Sequence, residues 1–325
     1  MILYMSNTSS GIPTFQDIED AVTRISPHAN KTPVLTSRTL NDMAGGEIFF
    51  KCENFQRAGA FKFRGACNSV FSLSDDEAAK GVATHSSGNH GQALALAARM
   101  RGIPAYVVMP ENSPKVKLSA VEGYGAKVIR CESNQKAREE TLQKVVNDTG
   151  ASFIHPYDNK TVIAGQGTCA CELLMEYPGL DIIMAPVGGG GLLSGTSITA
   201  RELMPKMLVI GSEPEQADDA SQSLKTGKLQ KFDTTNTIAD GLRTTLSERT
   251  FAIIQQNVDD ILTVSDDSII RAMRTVWERM NIIIEASCSV PVAAILEKKI
   301  DITGKKVGVI LTGGNVDLEH LPWQE

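Results

Sequence analysis

The sequence lacks the features that place a chain in a membrane or direct it to the secretory pathway. None of its apolar runs approaches the roughly 20 residues that a membrane-spanning helix needs. The first segment, Met1–Met5, contains no basic residue and runs into polar Ser-Asn-Thr-Ser-Ser, so we expect no signal peptide and a cytosolic location. The chain also lacks a strong excess of either charge, with 38 acidic and 32 basic residues and a net charge of −6. We therefore expect neither nucleic acid nor a membrane surface among its partners.

Paired cysteines are absent as well. The six cysteines have none of the C-x-x-C spacings that a zinc site or a thioredoxin-like site needs. The closest two, Cys169 and Cys171, would lie on different sides of a helix. We expect all six to be reduced packing residues: Cys52, Cys67, Cys131, Cys169, Cys171 and Cys288.

The composition is that of an ordinary globular protein, with 42% hydrophobic and 22% charged residues. A chain of 325 residues corresponds to about two domains of roughly 150 residues each. Short β-rich runs, such as Ala105–Met109, alternate with helical segments along most of the length. This alternation predicts an α/β fold with mostly parallel strands, in which ligands bind at the carboxyl ends of the strands.

Three turns rich in glycine or small polar residues directly follow predicted strands, and each is predicted to join a strand to a helix. They are Thr84–Gly91, Pro186–Ser194 and Leu311–Val316. Glycine lets the backbone approach an anion closely, and a helix N-terminus offers free N–H groups. Taken singly, a turn of this kind is more often a tight connection that binds nothing. The G-x-G-x-x-G and Walker A patterns are absent at these turns, which disfavours a nicotinamide enzyme or a P-loop ATPase.

Lys62 stands between Phe61 and Phe63 and beside Arg64. A lysine in an apolar pocket near another cation has its pKa lowered from about 10.4 and becomes a usable amine nucleophile. The alternative is a surface lysine whose stem lies along an apolar strand.

The segment around this lysine, Gly59–Gly65, resembles the pyridoxal-phosphate lysine segment of the serine/threonine dehydratase family, the fold type II enzymes. Three further segments match that family in the same order over almost the whole chain: Ser86–His90, Gly188–Gly191 and Thr312–Asp317. Four spaced motifs in one order identify the chain as a member.

The resemblance implies a tryptophan synthase β-like α/β fold, with two open domains of parallel type and the active site between them. The order of the motifs implies a large domain formed by residues 1–81 and 159–325. A small mobile domain, residues 82–158, would be inserted in it.

The cofactor implied by the resemblance is pyridoxal 5'-phosphate. Lys62 would bind it covalently and then act as a base on one face of the substrate Cα. Asn89 would contact the phenolic oxygen of the cofactor, and Thr312 would stand beside its pyridine nitrogen. The residues implied to contact the cofactor are Lys62, Asn89, Gly188, Gly189, Gly190, Gly191, Leu192 and Thr312.

Racemisation needs a second proton donor on the opposite face of the substrate, and Ser87 matches that position in the racemases of this family. A hydroxyl that caps the following helix is the alternative role for Ser86 or Ser87. The residues implied to bind substrate are Ser86, Ser87, Gly88, Asn89 and Arg138, the last of which moves into the active site when the small domain closes.

Within the family, the segments His85–Ala93 and Glu213–Asp219 resemble the eukaryotic serine racemases. This implies interconversion of L- and D-serine together with elimination of water from serine to give pyruvate and ammonia. Tyr157 and the segment Glu285-Ala-Ser-Cys-Ser depart from the racemase pattern. They keep open an ammonia-lyase for serine, threonine or 3-hydroxyaspartate that does not racemise. A non-enzymatic amino-acid or nucleotide-binding module on the same fold is a third hypothesis.

Two further ligands are implied by the resemblance, namely a divalent cation and an activating ATP at the interface of a homodimer. The cation would be Mg²⁺, with Ca²⁺ or Mn²⁺ as substitutes, held by Glu213, the carbonyl of Ala217, and Asp219. An acidic loop can also be merely solvated. The residues that match the ATP site are Ser37, Arg38, Thr39, Arg57, Ala58, Gln92, Tyr124, Arg279 and Asn315.

Overall fold

The computed structural model describes residues 11–113, 115–232 and 235–324; the segment Met1–Met5 lies outside them. The strands within these ranges are β1 Val34–Leu35, β2 Glu47–Cys52, β3 Val82–His85, β4 Ala105–Pro110, β5 Lys127–Cys131, β6 Ser152–Phe153, β7 Ile182–Pro186, β8 Leu208–Pro214, β9 Asp260–Val264 and β10 Lys306–Leu311. The α-helices are α1 Phe15–Ile25, α2 Arg38–Ala44, α3 Lys62–Phe71, α4 Asp75–Lys80, α5 Asn89–Arg101, α6 Lys115–Gly123, α7 Gln135–Thr149, α8 Lys160–Glu176, α9 Gly191–Leu203, α10 Asp219–Thr226, α11 Glu248–Asn257, α12 Asp266–Met280 and α13 Ala286–Leu296.

The strands form two sheets, one of six strands in the order β1-β2-β10-β7-β8-β9 and one of four in the order β5-β4-β3-β6. Every neighbouring pair is parallel except β1 and β2, which are antiparallel. The α/β fold with parallel sheets that the sequence predicts is confirmed. All four strands of the smaller sheet lie between residues 82 and 153, but the domain boundaries given above stay a prediction.

The central strands of the larger sheet are buried on both faces, because helices cover each side. Ile182 and Met184 of β7 point toward α12 and α13 and share a hydrophobic cluster with them. The alternate residues Ile183 and Ala185 lie in a second cluster with α8 and α9. This period of two places the carboxyl end of β7 between two helical layers. No helix of the described residues is long and apolar enough to cross a membrane.

Local sequence signals start and stop many of the helices. Thr14, Ser74 and Ser247 each cap a helix with a side-chain oxygen that accepts a hydrogen bond from a backbone N–H in the first turn. Gly102 and Gly150 end α5 and α7 in the left-handed conformation, which glycine adopts without strain.

A buried network of charged residues fixes the beginning of α3. The guanidinium of Arg64 is fully buried and donates hydrogen bonds to both carboxylate oxygens of Glu53 (2.7 and 2.8 Å) and of Glu172 (2.7 and 2.8 Å). Lys51, also fully buried, donates to Glu172 at 2.6 Å and to the carbonyl of Thr32 at 2.7 Å. The two cations and two anions balance, and together they join β2, α3 and α8. This network holds the residues on either side of Lys62 in one position.

We expect Arg64→Met to lower the free energy of unfolding by about 3 kcal/mol, because it leaves Glu53 as a buried, unpaired carboxylate. The measurement is urea denaturation followed by circular dichroism. Arg274→Met is the matched control, since Arg274 pairs with Glu278 on the exposed face of α12 and its loss should cost about 0.5 kcal/mol or less. Equal losses in the two variants would contradict this account.

Candidate active site

The three turns that the sequence singles out all follow strands and open on one cleft. The turns after β7 and β10 are neighbours, because these strands pair directly in the larger sheet. The turn after β3 belongs to the smaller sheet and reaches them through Asn89, whose Nδ2 donates to the carboxylate of Glu285 at 2.9 Å. The Nδ2 of Asn315 in turn donates to the Oδ1 of Asn89 at 3.0 Å. The amide of Asn89 is thus held from both sides.

One of the three predictions of a strand-to-helix junction is wrong. Thr84–Gly91 leads into α5 and Pro186–Ser194 leads into α9, but no helix follows Leu311–Val316 in the described residues up to 324. Gly313 instead forms an isolated β-bridge with Ala60. This turn therefore pairs with the backbone of the lysine segment and helps to position Lys62, whereas the other two turns each begin a helix.

Lys62 is the first residue of α3, and the turn after β10 fixes its position. The N–H of Phe61, the residue before Lys62, donates to the carbonyl of Thr312 at 2.9 Å. Thr312 is the residue predicted to stand beside the pyridine nitrogen of the cofactor. Its Nζ donates to the carbonyl of Pro156 at 2.9 Å. Burial lowers the pKa of the Lys62 amine to about 8, although the nearby carboxylate of Glu285 raises it. Of the two causes that the sequence predicts, the apolar surroundings lower this pKa, and Arg64 is not among its causes.

The glycine-rich turn after β7 is a fully enclosed backbone cradle. Gly190 has φ +82°, a conformation that favours glycine, and it caps the N-terminus of α9. A Cβ built at Gly189 would lie 2.3 Å from the Cγ and Cδ1 of Tyr157, so a side chain has no room there. The four consecutive residues and the next one are buried: Gly188, Gly189, Gly190, Gly191 and Leu192. A helix N-terminus without a side-chain cap, built from residues that carry no side chain, fits a phosphate.

Ser86 and Ser87 are half-buried in the turn before α5, and their hydroxyl groups differ. The Oγ of Ser86 accepts a hydrogen bond from the N–H of Gly88 at 3.3 Å. The Ser87 hydroxyl makes no hydrogen bond to any residue that the structure describes, and Gly88, the N-cap of α5, makes no side-chain cap bond. Neither serine therefore caps α5: the Ser86 hydroxyl is bonded within the turn, and the Ser87 hydroxyl is bonded to no described residue.

Glu285 is a residue of the cleft whose role the sequence reasoning missed. It is buried at the N-cap of α13, its N–H donates to the carbonyl of Gly313 at 3.0 Å, and its carboxylate accepts from Asn89. A carboxylate this close raises the pKa of Lys62. The signal in the sequence was an unusual Glu285-Ala-Ser-Cys-Ser segment, but its partner is 196 residues away along the chain.

Two histidines that flank Lys62 are neutral. Burial lowers the pKa of His90 to about 3 and that of His155 to about 4. The Nδ1 of His155 accepts hydrogen bonds from the N–H groups of Tyr157 (3.3 Å) and Asp158 (2.9 Å). This histidine therefore shapes the backbone of the cleft wall and carries no charge there.

Arg138, predicted to bind substrate, is half-buried on α7. Its Nε is buried and has no hydrogen-bond partner among the described residues. It lies close enough to His85 at the end of β3 to lower the pKa of that imidazole, while burial is the larger cause of the lowering. A guanidinium nitrogen without a partner among the described residues suits an anionic ligand.

The acidic turn after β8 fits a cation. Glu213 is fully buried and accepts from the N–H groups of Ala220 (3.3 Å) and Ser221 (2.9 Å). The Oδ2 of Asp219 accepts from the N–H of Leu246 at 2.9 Å, but its Oδ1 is buried without a partner among the described residues. Burial raises the pKa of Asp219 to about 6 and, together with the charge of Asp219, raises the pKa of Glu213. A divalent cation would satisfy the open oxygen and reverse both effects.

The set of side chains at this turn is nevertheless small. The described residues contain no group of three or more histidine, cysteine, aspartate or glutamate side chains arranged to hold a metal. A cation here would need backbone oxygen and water as well, which Mg²⁺ and Ca²⁺ both accept. Ala217, whose carbonyl is predicted to be a ligand, lies between Glu213 and Asp219 in the sequence and is fully buried.

The structure separates the residues predicted to bind ATP into two groups. Ser37, Arg38, Thr39 and Arg279 line one open cavity of about 600 Å³. The other five residues are not among those that line this cavity: Arg57, Ala58, Gln92, Tyr124 and Asn315. Asn315 donates to the carbonyl of Ala58 at 2.8 Å, next to Asn89.

Comparisons with known proteins agree with this arrangement. A family model described as "Pyridoxal-phosphate dependent enzyme" matches residues 25–313. The chain is 51% identical over 312 residues to a protein named beta-hydroxyaspartate dehydratase from Paracoccus denitrificans, which covers 96% of this chain and 99% of that protein. It is 50% identical over 310 residues to L-threo-3-hydroxyaspartate ammonia-lyase from Saccharomyces cerevisiae, covering 95% of both chains.

The serine racemase of Dictyostelium discoideum is similar to the same degree. It is 52% identical over 314 residues, which cover 95% of this chain and 96% of that protein. Its crystal structure matches with a TM-score of 0.91 over 94% of this chain and 99% of the other. The expected fold, and the relation to enzymes that remove or move an α-proton of a hydroxy amino acid, are confirmed.

We expect the Lys62 amine to react with acetic anhydride with a midpoint near pH 8 in the cofactor-free protein, which mass spectrometry of the modified peptide measures. At pH 8 about half of such an amine is neutral, against about 0.3% for a lysine with the ordinary pKa of about 10.5. In Glu285→Gln the midpoint should move to lower pH, because the variant lacks the carboxylate that raises the pKa. A midpoint near 10.5 in the unchanged protein would contradict the burial that the structure shows.

Proposed function

The chain belongs to the family of pyridoxal-phosphate dependent enzymes, and we propose that it is a serine racemase that also eliminates water from serine. Pyridoxal phosphate, when bound, withdraws electrons from the substrate Cα and so makes the α-proton removable. The 52% identity to the racemase of Dictyostelium discoideum supports the proposal. The observation that carries it is the unengaged hydroxyl of Ser87 in the same cleft as Lys62.

The residues of the chain divide the work of proton transfer. Burial lowers the pKa of the Lys62 amine toward neutrality, as suits a group that takes a proton from the substrate and returns it. Inversion needs a second group that gives the proton from the other face, and Ser87 is free of the local bond that engages Ser86. The N–H groups at the start of α5 and the guanidinium of Arg138 suit the substrate carboxylate.

Elimination of water from serine depends on Thr312, which we propose to stand beside the pyridine nitrogen of the cofactor. Thr312 would hold the pyridine nitrogen by a hydroxyl, which, unlike a carboxylate, would not keep a proton there. Loss of the β-hydroxyl then competes with return of the α-proton. Lys62, Ser87 and Thr312 together support both outcomes from one cleft.

An ammonia-lyase for 3-hydroxyaspartate is the second candidate, and Arg138 is the observation that favours it. Its buried Nε lacks a partner among the described residues and would suit a second substrate carboxylate, which serine does not have. Relatives named for this substrate are 50% and 51% identical to the chain. In this function Lys62 alone removes the α-proton, and Ser87 has no catalytic role.

We expect the enzyme, supplied with pyridoxal phosphate and Mg²⁺, to form D-serine from L-serine, and Ser87→Ala to lower that rate by at least about 100-fold, because the proton donor on one face is lost. Pyruvate formation from L-serine should fall much less. The measurement is chiral chromatography of the amino acid together with a pyruvate assay, on L-serine, D-serine, L-threonine and 3-hydroxyaspartate. Ser86→Ala is the matched control and should keep racemisation.

An unchanged enzyme that releases pyruvate or oxaloacetate but never forms D-serine would reject the racemase and support the lyase. Lys62→Ala protein that still shows the absorbance of a covalently bound cofactor would contradict the role of Lys62 in either function. A yellow protein whose absorbance requires Lys62 also separates an enzyme from a simple amino-acid-binding module.

We further propose Mg²⁺ or Ca²⁺ at Glu213, Ala217 and Asp219, ATP as an activator at the cavity beside Arg38 and Arg279, and a homodimer that brings the two groups of ATP residues together. The buried, unpartnered Oδ1 of Asp219 supports the cation, and two arginines at one open cavity support a polyphosphate. A cytosolic location fits the six cysteines, all of which are free and buried.

We expect 5 mM Mg²⁺ to raise the melting temperature of the unchanged protein, because a ligand that binds only the folded state stabilises it by mass action. Asp219→Asn should abolish that rise. Asp218→Asn is the matched control, since Asp218 is half-buried at the N-cap of α10 and should keep the response. Differential scanning calorimetry measures both, and equal melting temperatures of the unchanged protein with Mg²⁺ and with chelator would reject the site.

A further inference from the structure

The ring of Tyr157 packs directly against the glycine-rich cradle after β7. A Cβ built at Gly189 would lie 2.3 Å from two ring atoms of Tyr157 and 2.5 Å from a third. A Cβ built at Gly191 would lie 3.0 Å from the Cβ of Tyr157 and 3.1 Å from its Cα. The side chain of Tyr157 therefore packs against Gly189, and its Cα and Cβ pack against Gly191.

Tyr157 is itself held on several sides. Its ring meets the imidazole of His155 edge to face, with centroids 4.6 Å apart. The Nδ1 of His155 accepts the N–H groups of Tyr157 and Asp158, which fixes the backbone turn that carries the ring. Asp158 forms an ion pair with Arg249 of α11. The ring has little freedom to move away from Gly189.

The other side of the cradle rests on the same helix, α11. A Cβ built at Gly190 would lie 2.9 Å from the Cβ of Thr250 and 3.0 Å from the Cδ1 of Ile254. Arg249 of this helix anchors Asp158, so one element supports Gly190 directly and Tyr157 through the ion pair. The four glycines lack side chains of their own to fix their peptide planes, and their orientation depends on these contacts.

The wall that carries Tyr157 also touches the other end of the cofactor site. The residue before it, Pro156, accepts the hydrogen bond of the Lys62 amine at 2.9 Å. Residues 155–158 thus lie between Lys62 and the cradle, which are the two points where the cofactor would be fixed.

We infer that Tyr157 is the positioning residue of the phosphate cradle, and that its ring holds the peptides of Gly189 and Gly191 with their N–H groups aimed at the cofactor phosphate. The ring acts by contact, so the hydroxyl is not needed. The phenol also stays neutral, since burial raises the pKa of Tyr157 to about 12, and it brings no charge against the phosphate. This inference rests on the proposed placement of the phosphate at residues 188–191, and it is independent of whether the reaction is racemisation or elimination.

The test compares two probes that differ only in the phosphate, pyridoxal 5'-phosphate and pyridoxal, both of which can bind Lys62 covalently. Their dissociation constants are measured on cofactor-free protein by absorbance, without substrate. Tyr157→Ala should weaken pyridoxal phosphate by at least about tenfold, the loss expected for one misdirected hydrogen bond to a charged group. Pyridoxal should change less than about twofold, because its binding does not use the cradle.

Two further variants make the test specific. Tyr157→Phe should bind both probes as the unchanged protein does, since the ring is kept. Tyr177→Ala is the matched control, a half-buried tyrosine that packs on Phe49 at the end of α8, and it should leave the ratio of the two constants unchanged.

Equal weakening of both probes in Tyr157→Ala, or no weakening of either, would overturn the inference. Weakening of pyridoxal phosphate in Tyr157→Phe as large as in Tyr157→Ala would also overturn it, because the hydroxyl would then be the active group. Pyridoxal and pyridoxal phosphate that bind equally to the unchanged protein would reject the phosphate placement and this inference with it. None of these results bears on the chirality of the product, which the assay on serine decides separately.

Discussion

The buried network of Arg64, Glu53, Glu172 and Lys51 is the constraint on which the cleft depends. Arg64 comes two residues after Lys62, and its guanidinium binds carboxylates from the end of β2 and from α8. A planar group that satisfies two carboxylates at once tolerates little rotation, so the first turn of α3 has one position. The amine of Lys62 is therefore placed by charges that it does not touch, while burial lowers its pKa and Glu285 raises it.

Local sequence patterns predict the parts of this structure that are local. The strands at residues 47–52, 105–110 and 306–311 show as apolar runs, and the glycine-rich turns show where the backbone must approach a ligand. Two-residue strands such as β1 and β6 leave no pattern to detect, because an alternation of period two needs more than one repeat. The helix predicted after β10 is absent because the chain there pairs with Ala60, a long-range contact that overrides the local turn signal.

The residues of the candidate site also divide into those that local sequence patterns reveal and those that only the fold reveals. Lys62 and the four glycines stand out because their chemistry depends on neighbours in the sequence. Glu285, Pro156 and Tyr157 do not, because each acts on a partner far along the chain: Glu285 on Asn89, Pro156 on Lys62, and Tyr157 on Gly189. The sequence marks Tyr157 as a departure from the family pattern, but only the folded chain shows which surface its ring covers.

The two sheets hold their parts of the cleft by different contacts. This difference matters for the balance between the two proposed reactions, racemisation and elimination. Lys62, Thr312 and the glycine cradle are joined to the larger sheet by backbone hydrogen bonds and buried contacts. Ser87 comes from the smaller sheet, and the side-chain bonds of Asn89 to Glu285 and from Asn315 are among the contacts that tie its turn to the rest. In the proposed function, removal of the α-proton by Lys62 depends on these contacts and on Pro156, which follows β6 of the smaller sheet and accepts the hydrogen bond of the Lys62 amine. Return of a proton from the opposite face, as proposed, needs the turn of Ser87 in position as well, so racemisation depends on one more set of contacts than elimination does.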